Sequence, residues 1–83
     1  MQITLKLYAS LGVFLPAHAE RNMAPVDVVE GTSIKNLLDR FNVPRESCHL
    51  VLLNGVFQAP AIRATVKLQA GDAVAVWPPV AGG

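Results

Sequence analysis

The sequence holds one cysteine, Cys48, and a single thiol excludes an internal disulfide, a cysteine-built zinc site and an iron–sulfur cluster. A lone thiol fits a reducing, cytoplasmic compartment. Charge is scarce as well. Basic residues number 7 and acidic residues 6, and a net charge of +1 gives no clustered cationic surface for nucleic acid. No apolar run approaches the roughly 18–20 residues that a membrane helix needs. The stretch "LYASLGVFLPAHA" mimics a secretory signal, but Thr4, Lys6 and Ser10 break the apolar character of this region. A strand reading of its start is preferred.

What the chain does have is apolar surface. Hydrophobic residues make up 52% of 83 positions, which argues for one packed domain and against disorder. A domain of this size buries only about 60–65% of the surface its unfolded chain exposes, so its patterning has to be efficient.

Ile3, Leu5 and Leu7 alternate with Thr4, Lys6 and Tyr8, the period of a strand with one buried face. A connection from about Ala9 to Ala24, with room for a short helical turn, leads to "PVDVVEG", where Val26 and Val28 flank Asp27 in a second strand. Thr32 or Ser33 can cap a helix whose apolar stripe is Ile34, Leu37, Leu38 and Phe41. Asn42 suits a left-handed end, and Pro44 stops the helix. "CHLVLL", from Cys48 to Leu53, reads as a strand in mid-sheet. Asn54-Gly55 then makes a type I′ hairpin turn, and "VFQ" returns antiparallel. A loop through Pro60, the stretch "TVKL" and a "QAGD" turn precede a last strand, "AVAVW", ended by Pro78-Pro79. One helix among these strands predicts an α+β fold, a mixed sheet of four to five strands covered on one face. A helix between strands two and three is the arrangement of the ubiquitin-like β-grasp.

The expected domain spans residues 1–77, followed by an extended tail at 78–83. Pro78 and Pro79 hold such a tail extended, Val80 and Ala81 are small, and Gly82 and Gly83 have no side chain. Six such residues reach at most about 20 Å and can thread a narrow channel. The group delivered is the Gly83 carboxylate, a poor electrophile until it is activated, for example as an acyl-adenylate. Taken alone, a Gly-Gly end reads more simply as a frayed terminus.

The segments "ITLKLYASL", "TSIKNLLDRF", "VLLNGVF" and "LQAGDAVAVWPPVAGG" together carry a resemblance along nearly the whole chain. They resemble the ThiS/MoaD-type sulfur carriers of the ubiquitin-like superfamily, and the molybdopterin synthase small-subunit branch in particular. That resemblance implies a carrier co-substrate rather than an enzyme, with no bound cofactor and ATP consumed by its activating enzyme. It implies that Gly83 is adenylated and becomes a thiocarboxylate, with Gly82 giving access. A sulfurtransferase would deliver the sulfur, and a molybdopterin synthase large-subunit-like protein would receive it for molybdenum or tungsten cofactor synthesis. A thiamine-type carrier, a ubiquitin-like modifier conjugated through Gly83 and an interaction domain with an inert tail remain as alternatives.

Other residues carry less. Cys48 and His49 point to opposite faces if they lie in a strand, so they cannot readily share a proton. His18 and His49 are too few for a metal site, and none is expected. Asp27, Glu30, Asp39 and Asp72 read as solvated or turn residues. Of the larger aromatics, Trp77 reads as core, whereas Phe57 beside the hairpin is the candidate partner contact on the uncovered sheet face.

Overall fold

In the computed structural model, residues 1–80 are described, so Ala81, Gly82 and Gly83 lie outside the described residues. The strands are β1 (Gln2–Leu7), β2 (Met23–Asp27), β3 (Leu50–Leu53), β4 (Val56–Phe57) and β5 (Ala73–Trp77), with one helix, α1 (Ile34–Arg40). Three 3-10 turns fill connections, at Ala9–Phe14, Arg45–Ser47 and Pro60–Ile62. The sheet runs β2-β1-β5-β3-β4, with β1 and β5 parallel and the other neighbours antiparallel. This is the expected mixed sheet, with five strands.

The alternation in the sequence fixes which face is dry. Ile3, Leu5 and Leu7 of β1, Val51 of β3 and Val74 and Val76 of β5 share one buried face. Onto it α1 lays Ile34, Leu37 and Leu38, with Phe41 packed partly buried beside them. Ser33 is the helix cap, accepting the Asn36 N–H at 3.0 Å. Asn42 takes φ 63°, the left-handed end expected of it. The first segment is built into this core, because Leu11 of the Ala9–Phe14 turn is buried along with β1.

The hairpin turn forms as expected, with Asn54 at φ 50° and Gly55 at φ 83°. Asn54 also ties the turn to β5, since its Oδ1 accepts the Ala73 N–H and its Nδ2 donates to Asp72.

Two strand boundaries differ from the sequence reading. β3 begins at Leu50 rather than Cys48. The Cys48 N–H is spent on the Arg45 carbonyl in a 3-10 turn, so pairing with β5 starts only when the His49 N–H donates to the Trp77 carbonyl. β2 begins at Met23 and carries Pro25 in mid-strand. Edge position makes that possible. Leu7 donates to the Asn22 carbonyl and Val28 to the Met1 carbonyl, which leaves the Thr4–Pro25 pair between hydrogen-bonded pairs and the proline nitrogen facing outward. His18 Nε2 lies 2.9 Å from the outward Pro25 carbonyl, and Arg40 donates to that of Asp27, so this sheet edge is closed to further strands.

Leu37 is wholly buried. Leu37→Ala is expected to lower the stability measured by urea unfolding by about 2–5 kcal/mol. Val29→Ala, at a residue 77% exposed, should change it by under about 0.5 kcal/mol.

Candidate functional site

The last strand among the described residues, β5, is the central strand of the sheet, and this decides where the tail leaves. β5 is held on both sides up to its final residue. Tyr8 donates its N–H to the Val76 carbonyl and His49 donates to the Trp77 carbonyl, both at 3.1 Å. Beyond Trp77, Pro78 and Pro79 offer no N–H for further pairing. Pro79 and Val80 are exposed, Val80 at 80%. The described part of the tail therefore projects from the middle of one sheet end. Ala81, Gly82 and Gly83 continue from there outside the described residues.

Cross-strand register defines the face that α1 leaves open. Phe57 pairs with Leu52 and Leu52 with Ala75, while Leu50 pairs with Trp77. Directly paired residues share a face, so these side chains form one apolar band over β4, β3 and β5. Trp77 extends the band to Tyr8, whose ring stacks on the indole at 4.5 Å and 9°. Such a stack contributes about 0.5–1.5 kcal/mol beyond burial. Trp77 is thus half-buried on the open face rather than in the helix-side core expected for it. Phe57 is 54% exposed at the far end of the band, where the sequence reading put it. Lys6, across from Ala75, is the cation within this otherwise apolar region. The band and the tail root meet at Trp77, an arrangement suited to docking on a protein surface while the tail enters a cleft beside it.

Cys48 and His49 do not pair. Cys48 closes the Arg45–Ser47 turn instead of lying in a strand, and its thiol is buried and directed at the Pro44 carbonyl at 3.4 Å. His49 is exposed. Burial pushes the Cys48 thiol up; the Arg63 guanidinium opposes that shift, and Asp39 and Glu46 reinforce it. Asp39 is an ion-pair partner of Lys35 at 2.7 Å, and Asp72 accepts the Gln69 N–H in the turn before β5.

Arg63 was missed by sequence reasoning. It is only 7% exposed, and its Nε and Nη1 donate to the Gln58 and Cys48 carbonyls at 2.9 and 2.8 Å. Nη2 is buried without a partner. Burial also pulls the guanidinium down from its usual value. The signal available was a lone cation in the otherwise uncharged stretch "APAIRATV".

A mixed sheet with one helix across one face and a tail leaving its central strand defines a ubiquitin-like β-grasp protein. The chain belongs to the Mut7-C ubiquitin family, whose model matches residues 1–82. Among solved structures it is similar to SAMP1 of Haloferax volcanii, at 26% identity over 100% of both chains with a TM-score of 0.69. The thiamine biosynthesis protein ThiS of Geobacter metallireducens aligns at 21% identity over 96% of this chain and 99% of that one, with a TM-score of 0.62. A chain from the complex of subunits 1 and 2 of molybdopterin-converting factor of Helicobacter pylori aligns at 15% identity over 100% of both, with a TM-score of 0.58. The last two are likenesses of fold. No curated protein sequence matches the chain. The resemblance to ThiS/MoaD-type proteins is borne out, and the neighbours include modifier, thiamine and molybdopterin proteins alike.

The state of Cys48 is directly measurable. Because its thiol form is favoured by burial, alkylation by iodoacetamide at neutral pH should be about tenfold slower, or more, in the native protein than in urea. The raised value also means that this group's contribution to stability is complete below the unfolded thiol's pKa and falls as pH rises through it. Cys48→Ala should remove that alkaline loss in urea-unfolding measurements.

Proposed function

We propose that this protein is a sulfur carrier whose terminal glycine, Gly83, is adenylated and then converted to a thiocarboxylate that donates sulfur in molybdopterin biosynthesis. The observation that carries the reading is the tail root. A central strand clamped to its last residue delivers Pro78, Pro79 and Val80 outward beside an apolar band that ends at Phe57. The Gly83 carboxylate attacks the α-phosphorus of ATP, and pyrophosphate leaves. The terminal sulfur of a sulfurtransferase persulfide then attacks the acyl carbon and AMP leaves. A second thiol cleaves the resulting acyl disulfide, releasing the thiocarboxylate and leaving a protein disulfide. The protein acts as co-substrate, and the chemistry belongs to its cytoplasmic partners: an adenylating enzyme, a sulfurtransferase and a large-subunit-like protein that accepts the tail. The likeness to a chain from the complex of molybdopterin-converting factor subunits supports a partner of that last kind.

A second reading is a ubiquitin-like modifier joined through Gly83 to lysines. The 26% identity across all of SAMP1, a small archaeal modifier protein, favours it. Both readings share the activation step, and a thiamine-type carrier would share it too.

Reconstitution with an adenylating enzyme tests that step. Deleting Gly83, or replacing Gly82 by Val, should abolish ATP-dependent activation with the thermal midpoint unchanged, since a tail beyond β5 adds little to the core. Phe57→Ala should weaken partner binding roughly 5–30-fold, the range for loss of an aromatic contact. Activation that survives deletion of Gly83, or unfolding caused by that deletion, would contradict the reading.

A further inference from the structure

The helix side of the molecule holds a cavity of about 390 Å³ between α1, the Arg45–Ser47 turn and the Pro60–Ile62 turn. Among the described residues, neither Pro78–Val80 nor the open sheet face lines it. Leu38, Val43, Pro60 and Ala64 give it an apolar wall. Lys35, Arg45 and Arg63 also line it, against one acid, Asp39. Asp39 is already engaged by Lys35, so neither Arg45 nor Arg63 has a carboxylate partner among the described residues.

Arg63 is the built element. Its Nε and one Nη1 proton are fixed on the carbonyls of Gln58 and Cys48, and Nη2 is buried and unpartnered. The second Nη1 proton and those of Nη2 remain, a fork of donors that the oxygens of one carboxylate can accept. Two main-chain anchors hold that fork in place before any ligand arrives, so little side-chain freedom is left to lose on binding. A buried guanidinium without a counter-charge is costly, and water can satisfy its N–H groups without neutralising it. An apolar wall with a few converging polar groups, at this volume, is the make-up of a small-molecule site.

We infer that this cavity binds a small carboxylate with an apolar body, its head on Arg63 with Arg45 and Lys35 alongside and its body against Leu38, Val43, Pro60 and Ala64. Sodium hexanoate serves as the probe, followed by ¹⁵N–¹H NMR of the whole protein. Saturable shifts centred on Cys48, Ala61, Arg63 and Ala64 are expected. 1-Hexanol, which has the body without the charge, and inorganic phosphate, which has charge without the body, should each bind about tenfold more weakly or worse. Arg63→Met should cost at least about tenfold by the same reckoning. Since Arg63→Met also frees two carbonyls, Ala64→Leu at an exposed rim position provides a second test: it keeps Arg63, narrows the cavity and should likewise abolish the shifts. Equal binding of 1-hexanol or phosphate, undiminished binding by Ala64→Leu, or no saturable shift at these residues would overturn the inference.

Discussion

The position of β5 governs the rest of the molecule. It is the last strand among the described residues and the central strand in space, parallel to β1 on one side and antiparallel to β3 on the other. Val74 and Val76 reach into the core from there with no exposed surface. The sheet cannot close until the C-terminal segment inserts, so the fold depends on contacts between residues far apart in sequence. The same insertion sends Pro78, Pro79 and Val80 out of the middle of the sheet.

This placement separates two faces that share one strand. Val74 and Val76 point toward α1 and hold the domain together, whereas Ala75 and Trp77 point away and belong to the apolar band. Residues adjacent along β5 therefore alternate between the core and the apolar band. The Phe57 end of the band is exposed, which suits a surface that a partner covers. At the other sheet edge the chemistry is opposite: Pro25 has no N–H, and His18 and Arg40 occupy the outward carbonyls of Pro25 and Asp27.

Most of this architecture was legible because local signals agreed with one another. The stripe at Ile34, Leu37 and Leu38, the Asn54-Gly55 turn and the alternation in β1 and β5 each specify an element without help from the tertiary structure. Where reading stopped short, a local hydrogen bond or a long-range contact had overridden the pattern. "CHLVLL" looked continuous, but the Cys48 N–H closes a 3-10 turn and shortens the strand. Trp77 looked like core, yet its place in the alternation sends it to the open face against Tyr8. Arg63 was invisible because its partners, Gln58 and Cys48, are brought together only by the folded hairpin. Phe57 could be placed because it sits beside the turn whose geometry was known.

The sulfur-carrier reading turns on the group that ends the tail, and intact mass spectrometry of the protein isolated from its own cells reads that group. A sulfur carrier predicts a species ending at Gly83 with one oxygen replaced by sulfur, abolished when the partner adenylating enzyme is deleted. A chain that carries only an unmodified carboxylate in cells actively making the cofactor, or that continues beyond Gly83, would contradict it.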